Sequence, residues 1–284
     1  MKEDTEKFLK FLEVRRGFSP TTLRGYACVL RNFSEFVGSL PLEKITYNTI
    51  DEFILKNSKG KSRATINYYI FVLRSFFRQM NKSGLKILVS ADHIETTKVP
   101  EKPIELLTDD DLDKLINFKD NKFVMERAIV GILYTTGMRL SEMMTIPANI
   151  LELGPYFTCV GKGGKMRDVN LQFAWQAIEE YKSHESNHKA KDGDKLFNVS
   201  NMTIQRLLKH YGAYIGLQKR LHPHMLRHHF ATRLMEKGVV MGRIQDMLGH
   251  TSPTTTQRYI NLQKQLGAEE AKKIEEAISI FRSN

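Results

Sequence analysis

Apolar residues recur at helical spacing through the first ninety residues of the chain. Residues 23–36 place apolar side chains three or four positions apart, and residues 63–80 repeat this pattern. Two shorter apolar stripes, around Phe8 and around Ile50, indicate two further helices. Because each stripe covers only one face of its helix, the pattern predicts a four-helix bundle with a common core.

A segment without apolar periodicity follows this region. Residues 91–106 contain two prolines and mixed charge, which predicts a linker between a helical domain at 1–90 and a second domain at 107–284. Thr108 is positioned to cap the first helix of the second domain, whose acidic first turn suits the helix dipole. Further helices are predicted at 173–183, 201–216, 223–236, 240–248, 253–262 and 267–281.

One part of the second domain has the sequence of a β-hairpin. The segments PYFTCV at 155–160 and MRDVNL at 166–171 are strand-like, and the turn GKGGK at 161–165 separates them, where Gly161, Gly163 and Gly164 permit a tight turn. The predicted fold class is therefore mainly α with a small β-sheet: a helical-bundle domain followed by an α-rich domain that contains a hairpin.

The charge of the chain is positive and unevenly distributed. Lys and Arg number 43 against 32 Asp and Glu, and the first 100 residues hold 17 basic and 10 acidic side chains. Cationic surfaces gain affinity for nucleic acid by releasing its counterions, so the excess favours a DNA partner gripped by the first domain. Taken singly, each basic or hydroxyl side chain near a predicted helix start could be a cap or a solvated group. Together they are candidate phosphate contacts: Arg15, Arg16, Thr21, Arg24, Lys61 and Arg63.

Cysteine content and the amino terminus bear on location. Cys28 and Cys159 are far apart and have no metal-ligand spacing, which favours a reducing compartment and argues against a disulfide framework or a zinc site. The first residues lack the apolar core of a signal peptide, and no segment has the apolar length of a membrane span. We therefore expect a cytoplasmic, nucleoid-associated protein without membrane contact.

Six residues of the second domain suit phosphodiester chemistry. Arginine holds phosphate oxygens in bidentate fashion, lysine can protonate a leaving alkoxide, and a tyrosine beside a base and cations can attack phosphorus. Histidines can move the proton or bind the phosphate. In chain order these residues are Arg139, Lys162, His224, Arg227, His250 and Tyr259.

Each of these residues also has an ordinary structural interpretation. Arg139 could pair with Glu142, Lys162 could be a turn lysine, and Tyr259 could lie in the core or on the surface. The histidines and the acidic run at 109–113 could instead bind a metal ion. The occurrence of all the elements in one order is hard to explain by chance.

These segments resemble the tyrosine recombinase (phage-integrase-type) family, and most closely its Xer subgroup, which resolves chromosome dimers. The motifs are TGMR at 136–139, GKGGK at 161–165, HMLRH at 224–228 and LGH at 248–250, followed by Tyr259 nine residues after the last motif. The amino-terminal SPTTLRGYACVLRNFSEF also resembles the helical DNA-clamping domain of the family. The likeness covers nearly the whole chain, with asparagine at 170 where proline is common.

The resemblance implies a role for each residue at the reacting phosphate. Tyr259 would be the nucleophile, Arg139 and Arg227 would grip the non-bridging oxygens, His224 would assist proton transfer, and His250 would hydrogen-bond the phosphate.

It also implies a leaving-group acid and two supports. Lys162 would protonate the departing 5′ oxygen, with Lys165 a weaker candidate for that role and a possible DNA contact. Glu142 would orient the arginines, and His228 would be a buried support.

The implied reaction proceeds through a 3′-phosphotyrosyl intermediate and two sequential strand exchanges by way of a Holliday junction, without metal, ATP or cofactor. The implied assembly is a homo-tetramer on two copies of a specific double-stranded DNA site, from a monomer or dimer when free, with accessory recombination proteins as possible partners. The helix at 267–281 would dock on a neighbouring protomer or pack within its own chain.

Several functions remain open from the sequence. The Xer likeness favours chromosome dimer resolution, and the alternative within the family is an integrase or excisionase of a mobile element. Outside it stand a type IB topoisomerase-like nicking and closing enzyme, a DNA-binding factor with a decayed site and a metal-dependent nuclease.

Overall fold

The computed structural model describes residues 1–99, 106–161, 164, 166–184, 194–249 and 267–278, with side chains from 272 onward in the last range. The chain divides into two compact units, Met1–Lys102 and Pro103–Asn284. The described residues are mostly helical, with one small antiparallel sheet, which confirms the predicted fold class.

Four helices form the first unit, and hydroxyl side chains cap three of them. Ser19, Thr46 and Ser62 accept backbone N–H groups in the first turns of the second, third and fourth helices. The apolar stripes of these helices meet in one core that includes Phe33 and Phe77. The helices are α1 (Lys2–Arg16), α2 (Pro20–Val37), α3 (Tyr47–Ser58) and α4 (Arg63–Lys82).

The segment after α4 packs back onto the first unit. Ala91 and Ile94 are buried in its core, and the Asn67 side chain bonds the backbone N–H and the carbonyl of Thr97. Residues 91–97, which begin the predicted linker, therefore lie against the first unit.

The second unit is built around one helix that is buried on all sides. This helix, α6, is buried from Glu126 to Thr136, and α9 and α11 pack against it. The helices of this unit are α5 (Asp109–Asn117), α6 (Val124–Thr136), α7 (Leu140–Met143), α8 (Ile150–Leu153), α9 (Trp175–His184), α10 (Asn201–Tyr214), α11 (Pro223–Glu236), α12 (Met241–Leu248) and α13 (Gly267–Ile278).

The predicted hairpin is present between α8 and α9. Strands β1 (Tyr156–Val160) and β2 (Met166–Asn170) pair antiparallel, with Cys159 opposite Arg167 and Val160 opposite Met166. Cys159 is buried, so this side of the hairpin faces the core of the unit.

The last described helix packs within its own chain. Ala277 and Ile278 of α13 are buried against Phe230, Leu234 and other apolar side chains of α11 and α12. The helix predicted at 253–262 lies outside the described residues. Among the residues that are described, no helix combines the length and apolar character that a membrane span requires.

Candidate active site

The loop after α6 brings Arg139 to the surface of the second unit. Gly137 closes α6 with a left-handed φ of 59°, and its N–H donates to the carbonyl of Leu133. A Cβ at this position would lie 2.3 Å from a ring carbon of Phe230, so both the backbone conformation and the packing require glycine. Two residues later, Arg139 caps α7.

Glu142 holds Arg139 through two hydrogen bonds. Oε1 accepts from Nη1 of Arg139 at 2.8 Å, and Oε2 accepts from its backbone N–H at 2.8 Å. Only 2% of the Glu142 side chain is exposed. Burial acts to raise the pKa of Glu142, but hydrogen bonds from Arg139 and Arg167 hold that pKa below its ordinary value. The carboxylate therefore stays ionised and holds the guanidinium of Arg139.

Arg227 lies on α11, with its side chain 8% exposed. Its guanidinium donates to the carbonyl of Gly137 at 2.6 Å and to that of Leu248 at 2.7 Å. Burial, and then the neighbouring charge of Arg139, lower the pKa of Arg227 to about 10. The group remains a cation at neutral pH, and its desolvation strengthens any contact with an anion.

Both arginines also grip the turn that follows α12. Arg139 donates from Nη2 to the carbonyl of Gly249 at 3.1 Å and, more weakly, from Nη1 to that of Leu248 at 3.4 Å. Because Arg227 donates to the same Leu248 carbonyl, two guanidinium groups meet at one turn. We call Arg139, Glu142 and Arg227 the arginine cage.

His224 lies one turn before Arg227 on the same face of α11. Partial burial and then the charges of His228, Arg227 and Arg139 lower its pKa, so the imidazole is neutral at neutral pH and can accept a proton. His224 and Arg139 line one groove of about 480 Å³, which Gln205 and Arg220 also border.

The structure thus brings together Arg139, Glu142, His224 and Arg227. Four other predicted site residues lie outside the described residues, and three of them are next to described ones. Val160 and Met166 bracket the turn that contains two of these residues, and Gly249 directly precedes a third. The four are Lys162, Lys165, His250 and Tyr259.

The expectation that His228 is a buried support is wrong. His228 is exposed, because it follows His224 by one helical turn on the open face of α11. The buried histidine is the next residue, His229, which stacks on Tyr134 with ring centroids 5.7 Å apart.

Arg167 of β2 is a site residue that the sequence reasoning missed. Its Nη2 donates to Oε2 of Glu142 at 2.7 Å, so Arg167 is a second arginine, beside Arg139, on the carboxylate of the cage. A signal was present in the alternation of β2, because Arg167 occupies the same face as the buried Val169 and lies opposite the buried Cys159.

In the first unit, α2 and α4 cross close to their starts. A Cβ at Gly25 would lie 2.4 Å from the Tyr68 hydroxyl. Each residue is five positions into its helix, about 7.5 Å along the axis, so both amino-terminal ends lie near this crossing. Arg24 and Arg63, on those ends, therefore share one part of the surface. All six predicted phosphate contacts of this unit are exposed: Arg15, Arg16, Thr21, Arg24, Lys61 and Arg63.

The acidic run at 109–113 serves the helix that it starts. Asp111 forms a capping box with Thr108, and Asp110 pairs with Lys114. Within the described part of the chain, no group of three His, Cys, Asp or Glu side chains is arranged to hold a metal ion.

Two family models match the chain. The model of the Phage integrase family matches residues 105–266, and the model of the Phage integrase, N-terminal SAM-like domain, matches residues 5–84. The chain is 33% identical to the tyrosine recombinase XerD of Oceanobacillus iheyensis, over 91% of this chain and 93% of that protein. It is 32% identical to the tyrosine recombinase XerC of Thermodesulfovibrio yellowstonii, over 90% of each chain.

Solved structures share the fold. The XerH site-specific recombinase bound to palindromic difH substrate matches with a TM-score of 0.67 at 22% identity, over 98% of this chain and 85% of that one. A lambda integrase tetramer bound to a Holliday junction matches with a TM-score of 0.69 at 20% identity, over 91% of this chain and 76% of that one.

Proposed function

Because this chain belongs to the phage integrase family and is a tyrosine recombinase, we propose that it cuts and rejoins DNA at specific sites through a 3′-phosphotyrosyl bond to Tyr259. The observation that supports this most directly is the arginine cage. Two guanidinium groups, one held by a buried carboxylate and both bound to the turn after α12, lie beside the neutral imidazole of His224. A phosphate that becomes pentavalent gains negative charge, and preorganised cations stabilise that charge.

Each step of the proposed reaction has a residue suited to it. The Tyr259 hydroxyl attacks phosphorus and gives its proton to His224, while Arg139 and Arg227 hold the non-bridging oxygens. Lys162 protonates the departing 5′ oxygen, with Lys165 as the weaker candidate, and His250 hydrogen-bonds the phosphate. The 5′ hydroxyl of a partner duplex then reverses the attack. Because the phosphotyrosyl ester conserves the bond energy, the reaction needs no ATP, and we expect full activity in a chelator.

DNA binding is assigned to both units. We propose domains at 1–90 and 107–284 with a linker at 91–106, which agrees with the two matched models at 5–84 and 105–266. The exposed cations at the starts of α2 and α4 would contact phosphates, and four protomers would assemble on two duplexes. The lambda integrase tetramer on a Holliday junction supports this assembly by its shared fold.

For the biological role, we propose chromosome dimer resolution on the nucleoid, in the cytoplasm. Support comes from XerD and XerC relatives that align over nine-tenths of the chain or more. Mapping of covalently trapped DNA across the host genome tests this role. One site near the replication terminus is the expected result, and trapping at the borders of mobile elements would instead identify an integrase or excisionase.

The nucleophile is tested with Tyr259→Phe on a nicked suicide substrate, in which the cleaved strand diffuses away and traps the covalent complex. The variant should bind the cognate site as the wild type does and form no SDS-resistant adduct, because phenylalanine lacks the attacking oxygen. Tyr214→Phe, which removes an exposed hydroxyl of α10, is the matched control and should form the adduct normally. An adduct formed by Tyr259→Phe would disprove the assignment.

The same preparation distinguishes exchange from simple nicking and closing. Wild-type protein should join two cognate duplexes and should leave supercoiled DNA without a site unchanged. Relaxation of any supercoiled DNA, without joining of two sites, would identify a type IB topoisomerase-like activity instead.

A further inference from the structure

Arg167 connects the β-hairpin to the arginine cage. Its Nη2 lies 2.7 Å from Oε2 of Glu142, and its side chain is 11% exposed. A Cβ added to Gly249 would lie 3.3 Å from Cδ and Nε of Arg167. The aliphatic part of the Arg167 side chain therefore packs against the turn to which both cage arginines donate.

The Nη2 donor of Arg167 is bound to Glu142, whereas its Nε is buried without a hydrogen-bond partner among the described residues. Glu142 is buried, and its two oxygens together accept from Arg167 and from the side chain and backbone of Arg139. Removing one donor from a buried carboxylate leaves part of its charge uncompensated and costs free energy, which favours keeping the contact in the folded protein. Because its donor is bound to Glu142, Arg167 supports the groove and does not line it.

The other end of this connection is the lysine-containing turn. Arg167 pairs with Cys159 in the hairpin, and the next pair, Val160 with Met166, is the last before the turn at 161–165. A short antiparallel ladder transmits the position of one pair to the next. The contact between Arg167 and Glu142 therefore fixes the base of the turn that contains Lys162.

We propose that Arg167 is a positioning residue that couples the lysine-bearing turn to the carboxylate that orients Arg139. This inference rests on the proposed function, in which a lysine of that turn protonates the leaving oxygen. The buried carboxylate of Glu142 then positions both the arginine that binds the phosphate and the lysine that protonates the leaving oxygen.

The chemistry of the leaving group allows this coupling to be isolated. In the cleavage step the bond from the tyrosine oxygen to phosphorus forms, the bond from phosphorus to the 5′ oxygen breaks, and an ammonium proton moves to that oxygen. With a 5′-bridging sulfur, the bond from phosphorus to sulfur breaks and a thiolate departs without a proton, because a thiol has a pKa of only about 8.5. A defect in acid catalysis should therefore disappear on the sulfur substrate, whereas a defect in the phosphate grip should persist.

The test compares single-turnover cleavage of suicide substrates that carry oxygen or sulfur at the 5′ bridging position. On oxygen, Arg167→Met and Lys162→Ala should each be about 100-fold slower than wild type. On sulfur, both should return to within about 10-fold of wild type. Arg139→Met should remain slow on both substrates, because the non-bridging charge is the same in each.

Arg127→Met is the matched control. Arg127 of α6 is 7% exposed and pairs with Glu180, which is 38% exposed and is not part of the cage, so its loss removes an arginine–carboxylate pair that is buried on the arginine side only. Any reduction in its rate should be equal on the two substrates. Because the ratio of the two rates does not depend on the fraction of folded enzyme, it separates positioning from stability, and Arg167→Gln provides the same comparison if Arg167→Met does not fold.

The outcomes separate this inference from the function on which it rests. An equal loss of rate for Arg167→Met on oxygen and sulfur would overturn the coupling, and the recombinase assignment would stand if Lys162→Ala is rescued by sulfur. Rescue of Arg167→Met without rescue of Lys162→Ala would support the coupling and move the acid role to Lys165. Absence of rescue in both variants would overturn both the coupling and the assignment of Lys162.

Discussion

His224 has the protonation state that a proton acceptor needs. Its partial burial and the charges of His228, Arg227 and Arg139 lower its pKa, which keeps the ring neutral to a lower pH than an isolated histidine. A lower pKa moves the acid limb of a base-dependent rate to lower pH. In cleavage assays at subsaturating DNA, which report the free enzyme, the half-maximal rate should fall below about pH 6.5.

The profile is measured with the suicide substrate between about pH 5 and 8. His224→Gln provides the control, because glutamine cannot titrate and the acid limb should be lost along with most of the rate. A wild-type midpoint above neutral pH would show that the acid limb does not report the lowered pKa of His224, and would overturn its assignment as the proton acceptor.

His229 has a different role, because it is buried and its two ring nitrogens lack hydrogen-bond partners among the described residues. Burial and then Arg233 lower its pKa in the folded protein. Below about pH 6.5 the unfolded state therefore binds more protons than the native state, and stability falls as the pH decreases. His229→Phe removes this penalty and should weaken the pH dependence.

The measurement is the free energy of unfolding in urea near neutral pH and near about pH 5.5, a window that lies below the ordinary histidine pKa. His228→Phe, the exposed neighbour, is the control and should retain the wild-type loss of stability on acidification. If His229→Phe loses as much stability as the wild type does, another group is responsible for the acid sensitivity.

Sequence reasoning found residues whose chemistry is unusual, and it missed those defined by packing. Arg139, His224 and Arg227 stand in recognisable motifs, and the structure groups them. Arg167 stands in an alternating strand, where its inward direction matters more than its identity. The sequence predicted that His228 is buried, but the buried histidine is His229, one position later. A motif alone does not show which of two adjacent histidines faces the core.

At the scale of elements, the end of α6 is under the tightest constraint. Gly137→Ala introduces a Cβ at a left-handed φ and places it 2.3 Å from Phe230 and 2.9 Å from Leu248. Gly238→Ala is a matched control, because Gly238 has a φ of 74° and open space around it. Backbone strain alone should destabilise the control by about 1–3 kcal/mol, and overpacking should add about 1–3 kcal/mol at Gly137.

Urea unfolding of the two variants measures this difference, and cleavage should also decrease in Gly137→Ala because Arg139 follows two residues later. Equal stability of the two variants would show that the core yields to the added methyl group.

The helices with one apolar face could be predicted from the sequence. The helix α6, which has no exposed polar face, could not. The periodic stripes of α2 and α4 gave their positions, and Thr108 caps α5 as predicted. By contrast, α6 is buried on all sides from Glu126 to Thr136, its charged residues included, so no exposed polar face marks it in the sequence.

At the scale of the whole molecule, the positive charge should appear in the salt dependence of DNA binding. Lys61 and Arg63 lie at the start of α4, close to the crossing with α2. If each contacts one phosphate, the double variant Lys61→Gln with Arg63→Gln should reduce the slope of log K against log salt by about 1.8. Binding isotherms at several salt concentrations measure this slope.

A control with the same kind of charge change is Lys7→Gln on α1, where the lysine pairs with Glu3. Its slope should equal that of the wild type. An unchanged slope in the double variant would remove the start of α4 from the DNA interface.

Contacts between segments that are far apart in the sequence could not be predicted from local patterns. Arg139 and Gly249 are 110 positions apart, yet the Arg139 guanidinium donates to the Gly249 carbonyl. The approach of two such segments depends on the packing of α6, α11 and α12, which no local pattern records.

The cage rests on main-chain oxygens, since the carbonyls of Gly137, Leu248 and Gly249 accept from its arginines. Every amino acid supplies such an oxygen, so divergence in the neighbouring side chains can leave the site intact. A deletion or insertion in these two turns would displace the acceptors themselves. Over evolutionary time, the spacing of residues here should therefore be held more strictly than their identity, except where a left-handed glycine is required.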